Sequence, residues 1–358
     1  MRVGARRTRP KIQTACRILD MPNYIDISFV FLYKRYIRHR CSMDVKLKRS
    51  VSVEPLHHGA SGRSIFRSPI ITILEELQTA LQNFAVTFAE TAGTIEESGS
   101  AMYRGASWPR HHQARTEAKS VLRRAATKLL TEELPVVGKL IIDGEMVDID
   151  SNEPFLAVIE TMIGEQNCVL NPYFRGLPHA CSITIFPFHT GNQYGDAIAS
   201  AVREYGSSIM WVATKHEDGA GWRVTLDAKE CKTDASPDLT LSSQVISLDF
   251  SDEYGRSRFH QLFYHELETL MIVESGCAAY NLGLVATGTI IAYLSATLRT
   301  NVLAAMYPII TGAGGCVTAF PGEDYGTIEF SNACITTVVA SANESIRDAL
   351  LTRLDKTE

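Results

Sequence analysis

The chain has 358 residues, 45% apolar and 21% charged, with a formal net charge of −5. That composition suits a folded globular protein with a sizeable core and excludes a whole-chain nucleic-acid binder. The charge is uneven: residues 1–50 carry 13 Lys/Arg against 3 Asp, net +10, which leaves about −15 for the rest. The eight cysteines form no C-x-x-C pair, which argues against structural zinc and reads as reduced core residues of a cytoplasmic protein. No apolar run reaches the roughly 18 residues of a membrane span.

Residues 1–65 are rich in Arg, Ser and His and show little periodicity. Three readings stay open for them: an organelle-targeting peptide, a flexible basic arm, or a start placed too early, with Met43 as the true initiator. We take the segment as a disordered or non-native extension and assign it no nucleic-acid role. Residues 66–358 then form the folded domain, with 66–250 and 251–358 as its two halves.

Apolar residues at three- and four-residue steps, from Ile70 to Phe88, predict a helix from Ser68 to Thr91. A second helix is predicted from Thr116 to Leu134 and ends at Pro135. Strand-like runs follow at Lys139–Ile142, Phe155–Ile159 and Ser182–Phe186. Ser208–Ala213 and Trp222–Leu226 read as a hairpin around Asp218-Gly219, and Val245–Phe250 as another strand. Then come helices at Ser257–Glu274 and Ala278–Thr287, a strand at Ile290–Leu294, and a helix at Val302–Thr311. The chain closes with strands at Cys316–Phe320 and Thr336–Ala342 and a helix at Glu344–Leu354. Mixed helices and strands indicate a layered α+β or α/β fold.

The run from Gly276-Cys277-Ala278-Ala279 to Val285-Ala286-Thr287-Gly288 carries a specific pattern, as does Leu303-Ala304-Ala305 to Gly314-Gly315. In order and spacing they resemble the inositol monophosphatase family, whose members show G-[ST]-A-A-x-x-L-x-x-V-A-x-G and later W-D-x-A-A. Phe174–Ile183 and Val339–Asn343 resemble further family segments. The resemblance runs from about residue 68 to the end. It implies an α+β fold, a layered α-β-α-β-α sandwich of the inositol monophosphatase and sugar phosphatase type, usually dimeric. It also implies magnesium-dependent hydrolysis of small phosphate monoesters, for which hard carboxylate oxygens must cluster around the ions.

The carry-over of metal ligands fails at several positions. Gly144-Glu145 matches the family's Gly-Glu motif, but Met146 replaces its second Glu. The D-P-[IL]-D-G-[ST]-x-N loop is matched by Glu160 to Asn167, with Glu160 for the first Asp, Ile163 for the second and Glu165 for the Ser/Thr. The W-D pair falls on Asn301-Val302, and Leu294-Ser295 stand where the family carries a Glu toward substrate hydroxyls. Lys119 stands where the T-x-x-D motif would place its Asp. The expected pocket therefore needs no cofactor, with weak magnesium binding by Glu145 and Glu160 as the residual option.

On this reading Glu145, Glu160, Glu165 and Lys119 are the candidate catalytic residues. Gly164, Gln166, Asn167, Gly276, Cys277, Ala278 and Asn301 are the candidate substrate contacts. Lys119 and Glu165 admit two readings, an inert salt bridge filling the former metal space or an acid–base pair. Cys277 reads as a packed thiol, His260 and His265 as ordinary helix residues, and Asp148–Asn152 as a turn and not a calcium loop. The leading functional expectation is a repurposed enzyme doing acid–base chemistry on a small molecule without the usual metals. A pseudophosphatase that binds or scaffolds comes next, and a residual magnesium-dependent phosphatase last. The expected assembly is a homodimer with no membrane contact.

Overall fold

The computed structural model describes residues 76–91, 108–149, 155–170, 177–233, 245–249 and 271–355, apart from a few single positions within these ranges. The basic extension, His260 and His265, and residues 150–154 lie outside the described residues. Among the described residues two helices come first, α1 (residues 76–91) and α2 (Trp108–Glu133). An eight-stranded sheet follows: β1 (Val137–Ile142), β2 (Glu145–Asp148), β3 (Phe155–Ile163), β4 (Ala180–Pro187), β5 (Ala199–Glu204), β6 (Met210–Lys215), β7 (Trp222–Leu226) and β8 (Lys229–Glu230). Its order is β2-β1-β3-β4-β5-β6-β7-β8. The short helix α3 (Glu165–Leu170) leaves β3.

A second sheet of five strands has the order β10-β9-β11-β13-β12. It is built from β9 (Val245–Leu248), β10 (Met271–Val273), β11 (Ala292–Leu298), β12 (Cys316–Thr318) and β13 (Thr336–Ser341). The remaining helices are α4 (Ala278–Ala286), α5 (Thr300–Gly312) and α6 (Glu344–Asp355).

Side-chain alternation along the strands sorts the layers. On β1, Leu140 and Ile142 face a core shared with Leu81, Phe84 and Phe88 of α1 and Leu122, Ala126 and Leu130 of α2. Ile141 faces the other way, into a core with Leu282 and Val285 of α4 and Val302 to Ile310 of α5. A third core lies between the five-stranded sheet and Ile346, Leu350 and Leu354 of α6. The architecture is thus α-β-α-β-α, a mixed α+β fold.

Three local features fix the geometry. Asp143 and Gly144 both take positive φ, 51° and 85°, and join β1 to β2 in a two-residue turn. Asp-Gly suits such a turn because both central residues must be left-handed. Strand β3 is buried along nearly its whole length, so the face of Val158 and Glu160 and the face of Ala157 and Ile159 are both enclosed. In the middle helical layer two glycines let helix and sheet approach closely. A methyl at Gly283 would lie 2.5 Å from Trp211 Cζ2, and one at Gly312 would lie 2.6 Å from Val224 Cγ2.

Most expected elements fall where periodicity places them, with shifted ends. The described end of the expected helix 257–274 is different. Met271–Val273 form β10, which pairs in parallel with β9, and Glu274 lies beyond it. A three-residue apolar run gains more from closing a sheet edge than from extending a helix that ends in Glu274-Ser275-Gly276. Strands β2, β5 and β8 had no clear signal.

Candidate functional site

Helix α2 carries Lys119 and Arg123 four residues apart, so both project from one face. That face looks onto the Asp143-Gly144 turn and the end of β3. Asp143 is 2% exposed at its side chain, with Lys119 Nζ at 4.0 Å and Arg123 Nε at 3.7 Å. Its carboxylate also accepts from the backbone N–H of Thr161 at 2.8 Å and from the Thr161 hydroxyl at 2.8 and 2.9 Å. Arg123 reaches Glu145 with both terminal nitrogens, Nη1 at 3.1 Å from Oε1 and Nη2 on Oε2. The hydrogen bond from Arg123 holds the exposed Glu145 carboxyl below the usual carboxylate range.

Glu160 lies on the α5 side of β3 and is 1% exposed. Arg299, the residue before the first turn of α5, donates to its Oε1, and Asn301 Nδ2 donates to its Oε2 at 3.3 Å. Burial raises the Glu160 carboxyl above its ordinary value, against the opposing pull of Arg299. Burial also disfavours the Arg299 cation, but Glu160 and Glu165 outweigh it and its pKa rises. Glu165 opens α3 and sits between two cations, with Lys119 Nζ at 2.7 Å and Arg299 Nη2 at 3.6 Å.

These contacts form one chain of alternating sign: Glu145, Arg123, Asp143, Lys119, Glu165, Arg299, Glu160. Every neighbour of a carboxylate along it is a cation. All four candidate catalytic residues belong to it. Arg123, Asp143 and Arg299 complete it and were not identified from the sequence. One signal was available: Arg299 is the sole Lys or Arg between Gly276 and Ile346.

Ile163 and Val302, where the resemblance would place metal ligands, are 6% and 2% exposed and pack into the middle core. Among the described residues, no group of three or more His, Cys, Asp or Glu side chains is arranged to hold a metal ion.

The candidate substrate contacts divide. Asn301 lies in the network, and its Oδ1 is buried without a hydrogen-bond partner among the described residues. Gly164, Asn167, Gly276 and Cys277 come together in a tight structural junction beside it. Asn167 Nδ2 donates to Pro178 O at 2.7 Å and to Ser275 O at 2.6 Å. Gly276 has φ +72°, and a Cβ there would lie 2.8 Å from Asn167 Oδ1. Cys277 is fully buried, its Sγ lies 3.6 Å from Ile163 O, and burial pushes its thiol up to about 12. Gln166 is exposed and Ala278 half-buried.

A second polar group lies at the carboxyl ends of the parallel strands β10, β9 and β11. Asp249 Oδ2 accepts from the Ser295 hydroxyl at 2.9 Å and the Tyr293 hydroxyl at 3.3 Å. Glu274 Oε1 accepts from Gly276 N at 2.7 Å and Asn281 Nδ2 at 3.5 Å, and burial raises its carboxyl. Asp249 thus brings a carboxylate to Ser295, a relation between two strands that sequence reading missed.

No helix among the described residues is long and apolar enough to cross a membrane. No family profile matches the chain. The chain is 28% identical over 220 residues to the Nus factor SuhB of Xylella fastidiosa, covering 59% of this chain and 72% of that protein. Solved structures share the fold. The suhB extragenic suppressor protein of Bartonella henselae superposes with a TM-score of 0.61 at 17% identity, covering 80% of this chain and all of that one. An inositol monophosphatase from Anabaena gives 0.57 at 15% identity, over 80% and 97%. The inositol monophosphate complex of a second such enzyme, SaIMPase-II, gives 0.56 at 16% identity, over 80% and 94%.

Proposed function

We propose that this chain, which has the inositol monophosphatase fold and whose likeness to SuhB supports its membership of that family, acts by binding a small anionic molecule and has given up magnesium-dependent hydrolysis. The observation that carries this reading is the alternating chain of charges. A hydrolytic site of this fold would use magnesium ions to activate water and neutralise the phosphate. The donor set here does not fit them. Glu145, Asp143, Glu160 and Glu165 each have an ammonium or guanidinium group against them. Ile163 and Val302 offer no ligand atoms, and their side chains are occupied in the core.

Electrostatics sets the scale. A positive charge brought within 4 Å of another costs about 4 kcal/mol at an effective dielectric constant near 20. A divalent ion inserted among Lys119, Arg123 and Arg299 meets that cost more than once, which offsets the pull of carboxylates already paired with these cations, and magnesium gives up its water reluctantly. The relative in Xylella is named as a Nus factor, which fits a role exerted through binding. A homodimer and a cytoplasmic setting belong to the same proposal.

The test is hydrolysis of inositol monophosphate by the full chain, with magnesium titrated upward from EDTA. We expect no magnesium-stimulated turnover. Turnover that rises and saturates with magnesium would establish a residual phosphatase and end this reading.

A second reading rests on Glu160. Its carboxyl is buried and raised, so it can hold a proton closer to neutral pH than an ordinary glutamate, which suits a general acid. On that reading Glu145, Glu165 and Lys119 assist and the protein is a metal-independent enzyme. Turnover retained by Glu160→Gln and Glu165→Gln on an identified substrate would count against it.

A further inference from the structure

Lys119 reaches Glu165 from α2, and Arg299 reaches it from the start of α5. A single carboxylate held by two cations from separate elements has the surroundings of a bound oxyanion. Each of the two cations also has a second carboxylate beside it. Lys119 keeps Asp143 at 4.0 Å, and Arg299 keeps the buried Glu160. Asp143 is in turn fixed by Thr161, and Glu160 by Asn301.

The backbone under Glu165 is fixed as well. Gly164 has φ +78°, and a Cβ on it would lie 3.0 Å from Cys277 Cβ and 3.1 Å from Gly276 O. The Glu165 side chain is nevertheless 16% exposed, beside an Arg299 side chain that is 48% exposed. The carboxylate can therefore leave toward solvent by rotating its own side-chain bonds, with the main chain unmoved.

We infer that Lys119 and Arg299 form a preassembled clamp for a small oxyanion, a phosphoryl or carboxylate group, and that Glu165 occupies it as a removable internal plug. The inference rests on the binding role proposed above and specifies its ligand group and its gate. The ligand's anion displaces Glu165 and takes over its two cation contacts, and the released carboxylate turns to water. The cost of breaking the Lys119–Glu165 pair is part of every binding event, so the site rejects weak anions and admits those with a second point of attachment.

The test uses the full-length chain in EDTA, titrated calorimetrically with inorganic phosphate and, separately, with acetate at equal ionic strength. Glu165→Gln is expected to bind phosphate at least about tenfold tighter than the wild type, because a negative charge between the two cations is gone. Whichever of phosphate and acetate gains more identifies the group the clamp takes. Adding Lys119→Met to Glu165→Gln is expected to abolish the gain.

Equal phosphate affinity in the wild type and a folded Glu165→Gln variant overturns the inference, as does a gain that survives Lys119→Met. Should Glu165→Gln fail to fold, Glu165→Ser is read by the same criteria. The wild type gives a further measurement. Its melting temperature should rise in phosphate above matched chloride by more than that of Lys119→Met, since the general stabilising effect of phosphate is common to both, and equal rises count against the clamp. Magnesium-stimulated hydrolysis tests the proposed function, whereas phosphate binding in EDTA tests the clamp, so either can fail alone.

Discussion

Arg299 sets its guanidinium on the carboxylate of Glu160, 139 residues earlier in the chain and 1% exposed. The pair joins the first turn of α5 to strand β3 across the middle core. Removing the cation leaves a buried acid with Asn301 against it. We expect Arg299→Met to destabilise the fold at pH 7.5 by about 2 kcal/mol, below the value for a fully buried pair because Arg299 is half-exposed.

The pH dependence has a definite sign. The folded-state carboxyl of Glu160 is raised, so its contribution is fully present below the unfolded pKa and is lost as pH rises through the folded value. Taking away Arg299 removes its leading opposing influence and raises the carboxyl further. The deficit of Arg299→Met should therefore shrink toward pH 5 and grow toward pH 8. Urea unfolding at several pH values measures this, and adding Glu160→Gln should recover most of the loss at pH 8.

Val302 offers a direct test of metal fit. It is 2% exposed, so Val302→Asp buries a carboxylate in an apolar layer and should cost about 3 kcal/mol or more. Because Arg299 and Lys119 remain, magnesium should not restore the loss. Thermal unfolding with and without magnesium decides it. A magnesium-dependent recovery would mean that the site still assembles around the ion.

The junction at Asn167 predicts non-additive mutations. Gly276→Ala must adopt a φ of +72° and bring a methyl to 2.8 Å from Asn167 Oδ1, costing about 1–3 kcal/mol. Asn167→Ala loses two hydrogen bonds to carbonyls, about 2 kcal/mol. The double variant should lose less than the two losses combined, because the smaller side chain at 167 makes room for the methyl. Denaturant midpoints of the three variants measure the coupling.

Thiol chemistry provides a test without mutation. Cys181 and Cys277 are buried, and burial pushes each thiol up to about 12. At pH 8 neither should be alkylated by iodoacetamide in the native protein, and both should label at once in guanidinium. Cys316 is only partly buried and should label ahead of them. Peptide mass spectrometry gives the order.

Much of the layered fold was legible because its determinants are local. The apolar steps along α2, the alternation in β4 and the Ala-rich pattern of α4 and α5 each span one element. Strand β5, Ala199-Ser200-Ala201-Val202-Arg203-Glu204, was missed because its small residues carry no alternation until two large sheet neighbours cover them. Met271–Val273 were assigned to a helix because their partner strand is remote in sequence. The same division holds at the site. Glu145, Glu160, Glu165 and Lys119 fall inside recognisable motifs. Arg123, Arg299, Asp143 and Asp249 matter through contacts with residues on other elements, and such contacts leave no pattern in the neighbouring sequence.

Gly312 touches none of the charged groups, yet it shares a helix with the residues that do. A 13-residue helix is a rod of about 20 Å, and Arg299 stands at one end of α5 while Gly312 closes the other. The absence of a methyl at Gly312, pressed on Val224 and Trp222, lets that rod lie low on the sheet. A bulkier residue would pry the far end upward and swing the near end like a lever. The position of Arg299 over Glu160 is therefore open to change from the opposite end of the helix, through a tilt of α5 alone.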